Sequence, residues 1–301
     1  MKLSIIGIGS VGGAVATAVH NTGLVREMVL FDTDGVRARA AAEDLGHASV
    51  FGFDIKITAA TTYREMRDSD IVIISAGANQ KPGQTRTDLL AANAKVMRDI
   101  MPKLMTVVDP KKVIIIVVTN PLDVMVRLSA EISGLNPAQV IGTGTMLDTA
   151  RFRIILARLF NVSPSSVNAN VLGEHGDSEV LNWSAATVGG LPLDDFAKQM
   201  KNPLTAATKK TIDYRVRNAA YEIIKGRGAT WDGIGAAAAD LLRAIANDER
   251  RILTVSQGEG SLPRIVGSAG VIATLRPKMD SAEAAALKKS EKVIKSNFQK
   301  L

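Results

Sequence analysis

Residues 7–12 read GIGSVG and overlap the end of an apolar segment, LSIIGI, at residues 3–8. Glycines at the first, third and sixth positions of such a segment permit a tight turn, a close approach of a pyrophosphate to the backbone, and close packing of the next helix on the strand. The free N–H groups at the start of that helix bind phosphate oxygens. The sequence therefore predicts a dinucleotide site between the first strand and the first helix. The residues assigned to this site are Gly7, Gly9, Ser10, Val11 and Gly12.

Asp32 lies twenty residues after Gly12, at the end of the second apolar segment, MVLFD at residues 28–32. A carboxylate at this place accepts hydrogen bonds from a ribose diol and repels a 2′-phosphate, so the pattern favours NAD over NADP as the cofactor. The alternative is a structural glycine turn followed by an unrelated aspartate. The position of the motif between a strand and a helix argues against that alternative.

Five short segments rich in β-branched residues alternate with longer helical patterns over the first 120 residues. This alternation predicts parallel strands joined by crossover helices, and the near-continuous hydrophobicity of the segments predicts burial on both faces of a sheet. We therefore expect an α/β protein with an N-terminal doubly wound parallel sheet, that is, a Rossmann fold. The five segments are residues 3–8, 28–32, 55–60, 71–77 and 113–121.

The sequence pattern changes after residue 142, where a long helical segment, ARFRIILARLF, is followed by short strand-like segments and further helices. We expect a dinucleotide-binding domain over residues 1–142 and a C-terminal α+β domain that binds the substrate over residues 143–301. Near the C-terminus, Asp280 and Glu283 have the spacing of a capping box at the start of a helix.

Composition excludes several classes of site. The 301 residues include no cysteine, which excludes disulfides, thiolate zinc sites, iron–sulfur clusters and a thiol nucleophile. The formal net charge of +7 is dispersed along the chain and only 4% of residues are aromatic, which argues against nucleic-acid binding. We expect the charge to attract anionic small molecules instead.

We expect a cytoplasmic protein without a membrane segment. The most continuous apolar run, VIIIVV at residues 113–118, is far shorter than the roughly 20 residues that span a bilayer. The first strand begins so close to Met1 that no room remains for a signal peptide.

Asp148 and Arg151 are three residues apart and would share one face at the start of a helix. Such a pair has a simple structural explanation, since the helix dipole favours the carboxylate and the arginine is its ion-pair partner. His175 lies in a polar segment, GEHGDSE at residues 173–179, and an isolated histidine is more often structural than catalytic. A carboxylate paired with the histidine would favour catalysis, because it fixes the tautomer and stabilises the imidazolium.

Several segments together resemble the L-lactate/L-malate dehydrogenase family, and specifically its bacterial L-lactate dehydrogenase branch. They are GIGSVG, AGANQKPGQTR (76–86), VTNPLDV (118–124), IGTGTMLDTARFR (141–153), GEHGDSE and GATWDGIG (228–235). They occur in order over essentially the whole chain. The resemblance implies reversible hydride transfer between NAD and a small 2-keto or 2-hydroxy acid, and it implies no metal.

The resemblance also implies a role for each matching position. His175 would exchange the proton on the substrate oxygen, and Asp148 would orient it. Arg151 would bind the substrate carboxylate through two parallel hydrogen bonds, a geometry that suits guanidinium. Arg86, from a mobile loop at residues 78–86, would bind substrate and polarise its carbonyl group. The other assigned positions are Asn120 for substrate and cofactor, Thr230 for substrate and Val118 for cofactor.

Gln80 favours a lactate dehydrogenase over a malate dehydrogenase. The malate branch has arginine at this position, and a neutral amide would leave the second carboxylate of oxaloacetate without a charge partner. Pyruvate has only a methyl group there. We therefore expect an NAD-dependent L-lactate dehydrogenase. The alternatives are a malate dehydrogenase or broader L-2-hydroxyacid dehydrogenase, and a noncatalytic NAD-binding scaffold.

Three features depart from the family pattern. Trp231-Asp232 replaces the two aromatic residues usual in the lactate branch, which would admit a larger 2-keto acid. SQGEGS at residues 256–261 shortens the usual hairpin, and Thr143 stands where serine is common but retains the hydroxyl. Many bacterial members are activated by fructose 1,6-bisphosphate, bound by an arginine and a histidine at the positions of Arg153 and Asn168. Because Asn168 carries no charge, we expect no such activation. The resemblance suggests a homotetramer, with a dimer as the second possibility.

Overall fold

The structure is a computed structural model that describes residues 1–78 and 86–301, with the backbone alone described for Arg86. Its strands are β1 (Lys2–Ile6), β2 (Glu27–Phe31), β3 (Lys56–Ala59), β4 (Ile71–Ile74), β5 (Ile114–Val117), β6 (Val140–Gly142), β7 (Val167–Leu172), β8 (Val180–Val188), β9 (Leu191–Pro192), β10 (Arg251–Ser256), β11 (Ser261–Gly267) and β12 (Gly270–Thr274). Its helices are α1 (Ser10–His20), α2 (Gly35–Ala48), α3 (Arg86–Met105), α4 (Leu122–Ser133), α5 (Met146–Phe160), α6 (Leu193–Gln199), α7 (Ala206–Arg227), α8 (Asp232–Ala246) and α9 (Ser281–Phe298). No helix in the two described ranges is long and apolar enough to cross a membrane.

The five strands that the sequence predicts form a parallel sheet together with a sixth strand, β6, in the order β3-β2-β1-β4-β5-β6. The strand order reverses between β1 and β4, and the crevice at such a switch point is where open α/β sheets bind ligands. This topology confirms the doubly wound fold class. Most of these strands are shorter than the apolar segments that predict them. Strand β1 ends at Ile6 because Gly7 turns the chain with a φ of +94°.

The parallel sheet is covered by helices on both faces, as β1 shows. Leu3 and Ile5 pack on a core formed with α1 and α8, whereas Ile6 packs on a second core formed with α3 and α4. Side chains alternate between the two faces of a strand, so a strand with both faces covered has few positions for polar residues. The continuous hydrophobicity of the predicted segments has this origin.

The sheet continues past residue 142. Strand β10 pairs antiparallel with β6 through Ser256 and Gly142, and β11 and β12 extend that edge to give nine strands. A separate antiparallel sheet, β7-β8-β9, packs with α5, α6 and α7 around a third core that includes Phe152 and Val216. This architecture confirms the expected C-terminal α+β part of the fold.

The predicted capping box at the start of α9 is present. The Asp280 carboxylate accepts a hydrogen bond from the Glu283 N–H at 2.8 Å, and the Glu283 carboxylate accepts one from the Asp280 N–H at 3.1 Å. The two bonds satisfy backbone donors that have no partner inside the helix. Local sequence therefore defines the start of this helix.

Candidate active site

The predicted dinucleotide turn is made of backbone at the carboxyl end of β1. Gly7 has a left-handed φ, and a side chain on it would overlap the backbone of Ala76. A Cβ on Gly12 would overlap the carbonyl oxygen of Gly7, whereas a Cβ on Gly9 would meet nothing within 4 Å. The first and third glycines therefore allow close packing, and the second leaves open space beside the turn.

The turn opens into a cleft of about 610 Å³. Gly9 precedes α1 and no side chain caps the helix there, so the first N–H groups of α1 can bind an anion. The cleft is lined by all the predicted turn residues and by Phe31, Asp32, Ala76, Val96 and Ile100, among others. Anion-binding N–H groups beside apolar walls fit a dinucleotide, which combines charged phosphates with flat bases.

Asp32 lies in this cleft at the end of β2, with its side chain only 9% exposed. Its Oδ2 accepts a hydrogen bond from the Ile8 N–H at 2.7 Å, and its Oδ1 accepts one from the Asp34 N–H at 2.9 Å. The Arg37 guanidinium lies 3.6 Å from the same carboxylate. Because each carboxylate oxygen can accept a second hydrogen bond, the residue still fits a ribose diol.

Asp148, Arg151 and His175 form one cluster in the folded chain. Asp148 is buried in the first turn of α5, and its Oδ2 lies 2.6 Å from Nδ1 of His175. Its Oδ1 accepts a hydrogen bond from Nη1 of Arg151 at 2.7 Å. With Nδ1 facing the carboxylate, Nε2 is the ring nitrogen left for a ligand. The pairing of histidine and carboxylate that would favour catalysis is therefore present.

The electrostatics of the cluster favour a protonated histidine. The charge of Asp148 raises the pKa of His175 to about 9, although burial acts in the opposite direction. Burial also opposes ionisation of Asp148, but the charges of His175 and Arg151 hold the pKa of that carboxyl below its ordinary value. An ionised Asp148 between two cations is the resulting state near neutral pH.

The match to known proteins covers the whole chain. Residues 1–142 match the family model for the lactate/malate dehydrogenase NAD-binding domain, and residues 145–301 match that for the alpha/beta C-terminal domain. The chain belongs to the lactate/malate dehydrogenase family. The first of these matches also confirms NAD as the cofactor that the glycine turn and Asp32 predict.

Named family members are similar over their full length. An L-lactate dehydrogenase of Thermus aquaticus is 45% identical over 98% of this chain and 97% of its own length, and one of Allorhizobium ampelinum is 44% identical with the same coverage. Among solved structures, a minor L-lactate dehydrogenase from Enterococcus mundtii has a TM-score of 0.95 at 37% identity, covering 100% of this chain and 98% of that one.

The assigned positions 118 and 120 lie just beyond β5, in the same family motif. Val118 is buried, and its N–H donates a hydrogen bond to the Ile74 carbonyl at 2.8 Å. Asn120 is exposed, and its carbonyl accepts a hydrogen bond from the Asn93 side chain of α3 at 2.7 Å. The backbone of Asn120 is thus held by α3, and the residue is exposed to solvent.

The segment that departs from the family pattern, Trp231-Asp232, lies beside the cofactor turn. The Arg227 guanidinium stacks 4.3 Å from the Trp231 ring centre and lies 2.6 Å from the Asp232 carboxylate. Trp231 and Asp232 line a second cleft, of about 860 Å³, together with Gly9 and Ser10. Thr230, just before them, is half-buried. These contacts put Trp231 next to the nucleotide turn. The effect of Trp231-Asp232 on the size of the substrate stays a prediction.

Two assigned residues cannot be compared with the structure. Gln80 lies outside the described residues, together with positions 79 and 81–85 of the loop expected to be mobile. Arg86 is the first residue of α3, and its side chain also lies outside the description. Across the described ranges, no cluster of His, Asp and Glu side chains could hold a metal ion.

Two residues near His175 were missed by the sequence analysis. Asp123, in the first turn of α4, accepts a hydrogen bond from the His175 N–H at 2.7 Å. Glu179 is 4% exposed, and its Oε1 has no hydrogen-bond partner among the described residues. Burial raises the pKa of Glu179 to about 8, and the charge of Asp148 adds to the effect. Both residues lie within family motifs, but nothing in the local pattern distinguishes them from solvent-facing carboxylates.

Proposed function

We propose that this chain is an NAD-dependent L-lactate dehydrogenase, which catalyses the reversible reduction of pyruvate to L-lactate. The observation that carries the proposal is the Asp148 carboxylate, which binds His175 with one oxygen and Arg151 with the other. A 2-keto acid needs an acid for its keto oxygen and a cation for its carboxylate, and this cluster supplies both. The activity is also that named for the relatives from Thermus aquaticus and Allorhizobium ampelinum.

His175 is the proton donor for pyruvate reduction. With a pKa of about 9 it carries two ring protons near neutral pH, one shared with Asp148 and one on Nε2. NADH, when bound, supplies the hydride. The Nε2 proton passes to the keto oxygen as negative charge develops there, and in the reverse direction the neutral ring accepts it back. Asp148 stabilises the imidazolium and holds the ring in one orientation.

Arg151 binds the substrate carboxylate. Its side chain is 14% exposed, and one of its terminal nitrogens is engaged with Asp148 at 2.7 Å. This contact leaves other N–H groups of the same planar guanidinium for a carboxylate, which can accept two of them in parallel. Partial burial strengthens such a contact because less water competes for it. Asn120, Thr230 and the carbonyl-polarising Arg86 complete the substrate site by family resemblance.

Several further features belong to the same proposal. The chain divides into an NAD-binding domain at residues 1–142 and a catalytic domain at residues 143–301. It works in the cytoplasm. It assembles as a homotetramer, with a dimer as the second possibility. Sedimentation velocity on the purified protein measures the assembly state. A monomer at micromolar concentration would contradict the homotetramer.

Initial rates with NADH test the proposed activity. The purified chain should reduce pyruvate much faster than oxaloacetate or a branched 2-keto acid, and the product should be L-lactate. A preference for oxaloacetate would assign malate dehydrogenase activity. The absence of turnover with all three acids, despite NADH binding, would indicate a noncatalytic scaffold.

Gln80→Arg tests the choice between lactate and malate. The new cation would pair with the second carboxylate of oxaloacetate, a charge-assisted contact worth about 1.5 to 3 kcal/mol, so kcat/KM for oxaloacetate relative to pyruvate should rise at least about tenfold. Gln80→Lys is the matched control for charge without the bidentate geometry. An unchanged ratio in Gln80→Arg would remove Gln80 from its assigned role.

A further inference from the structure

The second cleft adjoins the cofactor cleft at the glycine turn, and the two clefts share Gly9 and Ser10. Trp231 and Asp232, at the start of α8, line the second cleft together with residues of α1. Ala229, two residues before Trp231, lines the cofactor cleft itself. The junction between α7 and α8 therefore borders the turn that is expected to bind the pyrophosphate of NAD.

Asp232 brings a negative charge to this border. The helix dipole stabilises an aspartate in the first turn of α8, which gives the residue a structural role. The pyrophosphate of NAD is also negatively charged, so an uncompensated carboxylate beside the turn would repel it. Arg37, the other charged residue among the described ones that line the second cleft, lies 3.6 Å from Asp32 and 3.4 Å from Asp34. Its charge is engaged there, so another cation has to compensate Asp232.

Arg227, in the last turn of α7, supplies that cation. Its Nη1 donates a hydrogen bond to Oδ2 of Asp232 at 2.6 Å. Gly228 ends α7 in the left-handed conformation, with a φ of +81°, and the short connection to α8 lets residues of the two helices meet. The ion pair thus joins the end of one helix to the start of the next.

The Trp231 ring holds the guanidinium of Arg227 in place. The guanidinium carbon lies 4.3 Å from the ring centre, within the range of a cation–π contact. An exposed ion pair alone contributes little, because two flexible side chains must be held in one geometry. A planar guanidinium stacked on an aromatic face loses part of that freedom, so the ring favours the pair with Asp232.

We propose that Arg227, stacked on Trp231, belongs to the cofactor site and neutralises Asp232, so that the border of the glycine turn does not repel the pyrophosphate of NAD. The inference deepens the proposed function at its cofactor. It rests on NAD binding and is independent of which 2-keto acid is reduced. The affinity for NADH should therefore depend on the balance of the two charges.

NADH fluorescence titration of three variants tests this balance. Arg227→Gln leaves Asp232 without its partner, so the NADH dissociation constant should rise about fivefold at low salt, the size expected of an exposed charge acting on the phosphates through water. Asp232→Asn leaves an uncompensated guanidinium and should bind NADH at least as tightly as wild type. The double variant removes both charges, so its affinity should return to within about twofold of wild type.

Two matched variants separate the charge at the turn from other effects. Arg227→Lys keeps the cation, and its NADH affinity should stay within about twofold of wild type because the charge still compensates Asp232. Arg215→Gln removes the same charge from an exposed position earlier in α7 and should leave the NADH affinity unchanged. An equal loss in Arg215→Gln and Arg227→Gln would assign the effect to net charge and overturn the inference.

Salt and a ligand without phosphate identify the group that Arg227 serves. The effect of Arg227→Gln on NADH should become small at about 1 M salt, where the Debye length is about 3 Å. Adenosine carries no phosphate, so its inhibition constant in competition with NADH should be the same in Arg227→Gln and wild type. Equal losses of affinity for adenosine and NADH would contradict a role toward the pyrophosphate.

The outcomes also separate this inference from the proposed function. An unchanged NADH affinity in Arg227→Gln overturns the inference. A double variant that binds NADH as weakly as Arg227→Gln also overturns it, because a merely structural contact is not restored by removing its second partner. A wild-type protein without pyruvate reductase activity contradicts the proposed function, while the NADH titrations still test the charge balance of Arg227 and Asp232.

Discussion

The glycine turn at residues 7–12 and the His175 loop at residues 173–179 are built in opposite ways. The turn is fixed by the lack of side chains, because Gly7 and Gly12 lie where a Cβ would overlap backbone. The loop is fixed by side chains and strands far away in the sequence, such as Asp123 and Ser290. The turn should therefore be disrupted when an atom is added, and the stability of the loop should change when one of its partners or buried charges is removed.

The sharpest test of the turn is Gly12→Ala. Its Cβ would overlap the Gly7 carbonyl oxygen, so the turn must shift, at a cost of about 2 kcal/mol for overpacking, and NADH affinity should fall roughly 30-fold. Gly13→Ala is the matched control, since a Cβ on the neighbouring glycine meets nothing within 4 Å. NADH fluorescence titration measures both variants. Equal affinities would show that the close packing of Gly12 does not hold the cofactor turn.

Removing a buried ionisable group from the loop, as in Glu179→Gln, should increase the unfolding free energy of the protein at high pH. The fold raises the pKa of Glu179 from its ordinary value of 4.5 to about 8. The contribution of the protonated side chain to the unfolding free energy is therefore fully present below pH 4.5 and is lost as the pH rises through 8. The glutamine cannot ionise. Its advantage in unfolding free energy over wild type should grow from near zero at pH 4 to on the order of 5 kcal/mol at pH 8.5, a rise in Tm of roughly 8 °C.

Differential scanning calorimetry across this pH range measures the Glu179→Gln effect. Glu222→Gln is the control, because Glu222 is exposed on α7 and the same substitution there removes no buried charge. A constant difference in Tm between Glu179→Gln and wild type from pH 4 to 8.5 would show that Glu179 does not ionise within the fold.

The smallest effect is expected from fructose 1,6-bisphosphate. Nε of Arg153 donates to the Ala169 carbonyl at 2.8 Å, and its Nη2 lies 3.3 Å from the Asn170 side chain, so its donors hold β7 against α5. Asn168 nearby is exposed and uncharged. Millimolar effector should change the half-saturating pyruvate concentration less than about fivefold, the size of a typical allosteric coupling. A larger decrease would require other basic residues to bind the phosphates.

The two regions also differ in what their sequence predicts. The turn and the α9 capping box are patterns of neighbouring residues, so their glycines and the pair Asp280 and Glu283 could be identified before any fold was known. Asp123 and Ser256 are 133 residues apart, and their bond exists because β10 joins the parallel sheet beside β6. No local periodicity contains that information.

Other differences have equally physical origins. The apolar segments predict the strands but extend beyond them, since residues such as Ile8 are buried without pairing. The position of Trp231 beside the nucleotide turn follows from the packing of α8 on α1, where a Cβ on Gly235 would meet the backbone of Ala14. The pairing of Asp148 with His175 was expected only through family resemblance, and the folded chain supplies the distance.

Turnover and NADH binding of His175→Asn test most directly whether His175 donates the proton. The proton is on Nε2 of this residue, whereas the cofactor binds at the glycine turn, so the substitution should affect catalysis and not cofactor binding. NADH affinity should stay within about twofold of wild type, because the asparagine leaves the glycine turn and Asp32 intact. The rate of pyruvate reduction should fall by about 100-fold or more, the usual contribution of general acid catalysis. Turnover within tenfold of wild type, at unchanged NADH affinity, would contradict the assignment of His175 as the proton donor.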